Sequence, residues 1–388
     1  MTARAVATLA TLAALAGCGF PALPTVGTDA DPTSDGPADA PVDAPPDTAS
    51  PDTPDDAPVD AAVDAPIDAP SCSTGETRCA ANDVETCQAG SWSTTATCAN
   101  LCDHGACVTP PSCSGGATTC GVGGTEPCCA ALPVPGGTFA RSFDGVSAGY
   151  TDDRYQATIS GYHLDRFEVT VARFQEFVAA YPLGRPSDGA GRNPHDATDP
   201  GWVPAWTALL PASQAALAAS LACETVTSQA PGDPVRCVSW YVAQAFCIWD
   251  GGRLPSEAEW NYAAAGGAQQ RVYPWSSPPT STLLDGAHAI YQTAAPQRPG
   301  TAAAGAGRWG HADLAGNVWE WVLDGYISPY PSTACVDCAV HTASSANVVR
   351  GGSYLDAPGT VLVSRRGAQA PTSTTRTTGF RCARDPIP

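Results

Sequence analysis

The sequence predicts an α+β fold, loop-rich and short of long regular elements, preceded by a small disulfide-rich module and a disordered tether. Three observations predict it. Periodic apolar segments after residue 131 are few and short, and Gly, Pro, Ser and Thr break the chain between them. Ten cysteines crowd into residues 72–129, behind a stretch dominated by Asp, Pro and Ala.

Residues 1–17 carry one charge, Arg4, followed by an apolar run from Ala5 to Ala16 that is too short to span a bilayer as a mature helix. They read as a signal peptide. Leu15-Ala16-Gly17-Cys18 resembles a bacterial lipobox, in which Cys18 becomes the lipidated N-terminus and each buried methylene of its acyl chains is worth roughly 0.8 kcal/mol. Gly19 after that cysteine resembles the outer-membrane sorting pattern. The expectation is an exported outer-membrane lipoprotein, periplasmic or surface-facing, whose partner is the membrane through its lipid anchor.

The linker of residues 18–70 holds twelve Asp and no Arg or Lys, with recurrent Asp-Ala-Pro units. Such a segment buries too little apolar surface to offset chain ordering and is expected to be a disordered stalk. It carries most of the net charge of -19, and the remainder is acidic too, so nothing in the chain offers a basic footprint for nucleic acid. All nineteen basic residues are Arg, which removes lysine Schiff-base chemistry.

Residues 71–130 form the cysteine-rich disulfide module. Cys72, Cys79, Cys87, Cys98, Cys102 and Cys107 lie in a segment poor in Leu, Ile and Phe, so three disulfides are expected to staple a thin core, with fifteen pairings open. A zinc ribbon is disfavoured, because no Cys-x2-Cys occurs there and His104 is the one imidazole. Cys113, Cys120, Cys128 and Cys129 make a second cluster, and without Cys18 the cysteines number sixteen, an even count that suits full oxidation.

Residues 131–388 hold nine of the ten tryptophans and enough apolar content for one large domain. Thr170 is placed to cap a helix bearing Phe174, Phe177 and Val178, and Ser239 one bearing Val242, Ala245, Phe246 and Trp249. Ser256-Glu-Ala-Glu259 spells a capping box that starts a third. The Cys335-Val-Asp-Cys338 spacing invites a redox reading, yet no strand-to-helix context accompanies it.

Several segments occur in a telling order: Val134–Phe139, Leu164–Thr170, Pro234–Trp240, Gly251–Gly266, Tyr273–Trp275, Asp313–Trp321, Arg350-Gly-Gly-Ser-Tyr354 and Gly379-Phe-Arg-Cys382. Together they resemble the formylglycine-generating, or sulfatase-modifying-factor, family over roughly residues 132–384. The resemblance implies that family's loop-rich variant of the C-type-lectin fold. It also implies a structural disulfide between Cys247 and Cys382, which leaves Cys223 with Cys237 and Cys335 with Cys338. It places Asp313, Gly316, Val318 and Glu320 at the family's calcium ligands, two carboxylates and two main-chain carbonyls that suit a hard ion. Trp319, Ser353 and Asp356 would border the family's cleft.

The resemblance also decides the expected chemistry. The family's oxidases hold copper(I) between two thiols five residues apart, since a soft ion requires sulfur, and here Asp356 and Val361 stand at those places. No copper is expected. The preferred expectation is a lipid-anchored, non-catalytic binding or scaffold protein whose partner is an unknown envelope protein or glycan. The alternative is a family enzyme, either an oxidase or oxygenase with a different metal centre or a formylglycine-generating activity on sulfatase cysteines. For such a centre His163, His195, His288, His311 and His341 are scattered, no two at helical ligand spacing.

Overall fold

A computed structural model of the chain describes residues 72–385 other than 81, 116–118, 331–332 and 342–343. The expected signal peptide, the expected lipidation site Cys18 and the linker lie outside the described residues.

Among the described residues four short α-helices carry the packing: α1 (Val171–Ala180), α2 (Gln214–Ala219), α3 (Trp240–Trp249) and α4 (Glu257–Ala265). Thr170, Ser213, Ser239 and Ser256 cap them, each side chain accepting an amide from the first turn, and Ser256 with Glu259 completes the capping box. The six-residue α2 was not expected from the sequence, being too short to show a period. α1 and α3 meet through aromatic rings: Phe174 stacks on Phe246 at 5.7 Å, and Phe177 lies 5.3 Å from Trp249. Phe380, from the last part of the chain, closes this core against Phe246 at 5.3 Å.

Strands are short and non-consecutive. The main sheet runs Arg366–Gln369, Asn347–Arg350, Trp319–Gly325, Thr378–Phe380; the first two pairings are antiparallel and the last is parallel. A second sheet places Tyr162–Asp165 between Ala131–Val134 and Ala383–Arg384. A third orders Gly137–Ala140, Gln156–Ile159 and Cys335–Val336. The N-terminal module is a meander, Thr77–Ala80, Asp83–Gln88 and Ser91–Thr97, followed by the hairpin of Leu101–Asp103 with Ala106–Val108.

All sixteen described cysteines are paired. The module holds Cys72 with Cys87, Cys79 with Cys102 and Cys98 with Cys107; Cys113 with Cys129 and Cys120 with Cys128 follow. Beyond them Cys223 joins Cys237, Cys247 joins Cys382 and Cys335 joins Cys338. In the chain-entropy picture the link between Cys247 and Cys382 contributes about 5 kcal/mol, whereas that between Cys335 and Cys338 contributes only about 2, because loop-closure entropy grows with the loop.

Buried ions tie the pieces together. Arg173 on α1 pairs with Asp165 at 3.0 Å and Asp250 at 2.7 Å, and Arg384 pairs with the same two carboxylates, all four side chains being essentially inaccessible. Burial alone would raise the Asp165 carboxyl, yet Arg384 and Arg173 hold it below the ordinary range. Ser112 joins the cluster, donating its amide to Asp250 at 2.9 Å and accepting from Arg173 Nε at 2.9 Å. Residues 111–130 are thereby knitted to the domain that follows, a connection with no local sequence signal.

Removing one partner of such a cluster strands a buried charge. Arg173→Met is expected to cost about 3 to 5 kcal/mol, read as a lowered denaturant midpoint with disulfides intact; a change under about 1 kcal/mol, within the usual range for surface sites, would show that the cluster does not hold the domain.

Candidate functional site

Loop 313–320 bends by adopting left-handed backbone at Asp313 (φ 57°), Gly316 (86°) and Asn317 (55°). Asp and Asn tolerate this region, their short polar side chains bonding locally. Gly316 is obligatory, since a Cβ there would sit 2.4 Å from the Ile290 carbonyl oxygen. The bend brings Asp313 and Glu320 near Glu168, which precedes α1, and all three carboxylates are buried.

Their partners differ. Glu320 gives both oxygens to Arg381, at 2.7 and 2.6 Å, and accepts Trp260 Nε1 at 2.8 Å. Glu168 accepts Asn317 Nδ2 at 2.6 Å and the Val318 amide at 3.2 Å; Asp313 accepts the Gly300 amide at 2.5 Å. Arg381 is the guanidinium these carboxylates share. Burial lifts Glu168 well above the ordinary carboxylate range, with Asp313 and Glu320 adding to the rise, and lifts Asp313 to about 6 against the pull of the Gly300 amide and Arg381.

Such an excess of buried negative charge, presented as oxygen, suits a hard cation in its chemistry. The geometry fits only in part. Glu320 is committed to Arg381 and Trp260, and among the described residues no three His, Cys, Asp or Glu side chains are grouped to hold a metal. Glu168 carries no sequence signal as a charged neighbour of this loop, although it stands in the Leu164–Thr170 motif.

The second feature is the loop after Arg350. Gly352 (φ 76°) turns the chain so tightly that a Cβ there would come 2.7 Å from Val361 Cγ1. Ser353 donates its amide and hydroxyl to Asp356 at 2.9 and 2.6 Å, so the loop closes on itself through a carboxylate. Val361 is wholly buried among Val272, Tyr273, Ala315 and Leu362. Thus the two positions expected to replace the thiols are a local hydrogen-bond acceptor and a core side chain. Trp319 packs half-buried against Gly367 and does not join the contact between Ser353 and Asp356.

Elsewhere a cleft of about 270 Å³ is lined by Trp206, Trp240, Tyr241, Asp199, His341 and Asn347, among others. Trp206 and Trp240 meet at right angles 5.0 Å apart, and Tyr241 lies 5.3 Å beyond. His341 anchors the polar side, with Nε2 2.7 Å from Asp196 and Nδ1 3.7 Å from Asp199. Burial would raise Asp196, but His341 and Thr198 hold it below the ordinary value. His311, by contrast, is sealed in the interior, where burial and Arg381 press its pKa down to about 3 and keep it neutral. No motif singles out this cleft in the sequence, because Trp206, Trp240 and His341 lie more than a hundred residues apart at the extremes.

These motifs, this loop-rich α+β architecture and the link between Cys247 and Cys382 define a class that comparison makes explicit. Residues 123–386 match the sulfatase-modifying factor enzyme 1-like domain, and the chain belongs to that family. It is similar to the formylglycine-generating enzyme of Thermomonospora curvata, 31% identical over 66% of this chain and 93% of the relative. It is also similar to the inactive C-alpha-formylglycine-generating enzyme 2 of Bos taurus, 35% identical over 39% of this chain and 50% of the relative. A third relative is hercynine oxygenase of Mycolicibacterium smegmatis, 30% identical over 65% of this chain and 60% of the relative.

The raised carboxyl at Asp313 fixes a sign. Its folded value of about 6 exceeds the ordinary 3.8, so the folded chain holds extra protons between those values, and stability present below pH 4 is lost as pH rises through 6. The loss expected from Asp313 is about 3 kcal/mol. Denaturant midpoints measured in chelator from pH 4 to 7 should fall, and Asp313→Asn should flatten the fall; a rise in wild type would contradict this.

Proposed function

We propose that this chain is a lipid-anchored, non-catalytic member of its family, displayed from the outer membrane through Cys18 and the linker of residues 18–70. One observation carries this reading: Asp356 and Val361 are built into the structure as a loop clasp and a core residue, while all sixteen described cysteines are in disulfides. No described thiol pair is left to hold a soft ion beside Ser353. The likeness to a relative named as inactive supports the same reading. An oxygenase with another metal centre is less well supported, because the described histidines are dispersed and His311 is sealed.

The ligand proposed is a glycan of the envelope, seated in the cleft of Trp206, Trp240 and Tyr241. A pyranose offers an apolar C–H face to stack on aromatic rings and hydroxyls to pair with Asp199, His341 and Asn347, which is the mixture this cleft presents. Calcium belongs to the proposal as a structural ion at Asp313 with the Gly316 and Val318 carbonyls; Glu320, the fourth expected ligand, is paired with Arg381, and Glu168 stands beside the loop as a further buried carboxylate.

Tryptophan fluorescence and calorimetry with envelope oligosaccharides test it. Saturable binding is expected, with Trp206→Ala weakening it at least about tenfold, the loss of one stacked ring. Added calcium should raise the thermal midpoint of wild type and not of Asp313→Asn. Absence of binding to any envelope glycan, or a Trp206→Ala variant that binds as wild type does, would overturn the cleft assignment.

A further inference from the structure

A smaller cavity of about 140 Å³ lies beside the third sheet, lined by Arg141, Glu257, Asp324, Tyr330, Cys335 and Cys338 among others. The disulfide on its wall has three unusual properties. It joins residues only three apart, so it constrains the unfolded chain least of the eight described. It sits at the surface: both cysteines are partly exposed, and Val336 between them is 68% exposed. The guanidinium of Arg141 lies 3.7 Å from Cys338 Sγ, in a position to stabilise negative charge on that sulfur.

The backbone around the pair is held by other means. Cys335 and Val336 are in register with Ala157 and Thr158, the Asp337 amide donates to the Thr158 carbonyl at 2.9 Å, and the Asp337 carboxylate accepts the Ser160 amide and hydroxyl at 2.6 and 2.7 Å. The Val340 amide donates to Asp324 at 2.8 Å. Opening the disulfide would therefore release two sulfurs without releasing the chain. A staple that fastens so little, faces a cavity and has a cation at one sulfur is poorly explained as structure.

From this geometry we infer that Cys335 and Cys338 form a thiol–disulfide exchange centre that accepts two electrons from an external dithiol, of a protein or a small molecule. A thiolate of the co-reactant attacks Cys335 Sγ; the bond to Cys338 breaks and its electron pair leaves on Cys338 as a thiolate beside Arg141. The second thiol of the co-reactant then attacks the mixed disulfide and frees Cys335. The dithiol ends as a disulfide, and its two electrons and two protons end on Cys335 and Cys338. Low pKa and cationic surroundings make a better leaving thiolate, which is the part Arg141 plays. Asp324, lifted to about 7 by burial and the charge of Glu257, stands on the wall of the same cavity. This site differs from the cysteine positions of the family's oxidases and is independent of the glycan reading, whose failure would leave it standing.

Limiting dithiothreitol on the native chain, followed by alkylation and peptide mapping, tests the inference. Cys335 and Cys338 are expected to label together and at least about tenfold faster than any other pair, since exchange rates follow access and leaving-group pKa. Arg141→Gln should slow that labelling severalfold and Arg141→Lys should restore it, while circular dichroism reports that both fold. Reduction of Cys223 and Cys237 at the same rate as Cys335 and Cys338, or an Arg141→Gln variant that folds and exchanges as wild type does, would overturn it.

Discussion

Arg381 is the residue on which the arrangement rests. All of its donors are used inside the protein: Nε and Nη2 clasp Glu320, Nη2 also reaches the Ala312 carbonyl, and Nη1 reaches the carbonyls of Asp165 and Arg166. One guanidinium thus joins the loop of Asp313, the strand that leads to α1 and the final strand. Its neighbours continue the work, with Cys382 bonded to Cys247, Arg384 set between Asp165 and Asp250, and Phe380 in the aromatic core. A fold with short strands and small helices lacks long ladders to set its geometry, and the end of the chain supplies that order instead. A lysine could not serve at 381, for it has neither the planar fork nor five donors.

Around that frame the proposed reading separates the family's scaffold from the family's chemistry. The motifs that survive, Ser256 with Glu259, the loop of Asp313, Arg350 to Ser353 and Gly379 to Cys382, are the ones that close hydrogen bonds or bury charge. Where the resemblance places two thiols, the chain has a carboxylate that clasps Ser353 and a valine that fills the core. Each of these two side chains has a local role of its own. Glu257 also has a structural role, for it pairs with Arg350 and Arg366 and so ties α4 to two strands of the main sheet.

The sequence made the helices legible at their N-termini, since a cap is chosen by residues within one turn: Thr170, Ser239 and Ser256 all act as their local context implied. The ordered motifs made the family legible, and with it the α+β class. What stayed hidden depends on partners far apart in the chain. Nothing near Arg173 announces that it meets Asp250 and Ser112, and nothing near Glu168 announces Asn317 and Asp313. The pairing of the module's six cysteines was equally closed to inspection, because spacing alone cannot choose among fifteen connectivities. The aromatic cleft belongs to the same group, its rings and its histidine being brought together by tertiary packing alone.

The proposed separation of scaffold from chemistry is tested most directly by copper(I). The full chain, with every disulfide intact, would be titrated with copper(I) against a chromophoric chelator and then separated from it. No copper should remain with the protein, because the positions beside Ser353 offer a carboxylate oxygen and an aliphatic side chain in place of sulfur. One copper(I) held per chain in competition with the chelator, and lost on substitution of Asp356, would contradict it.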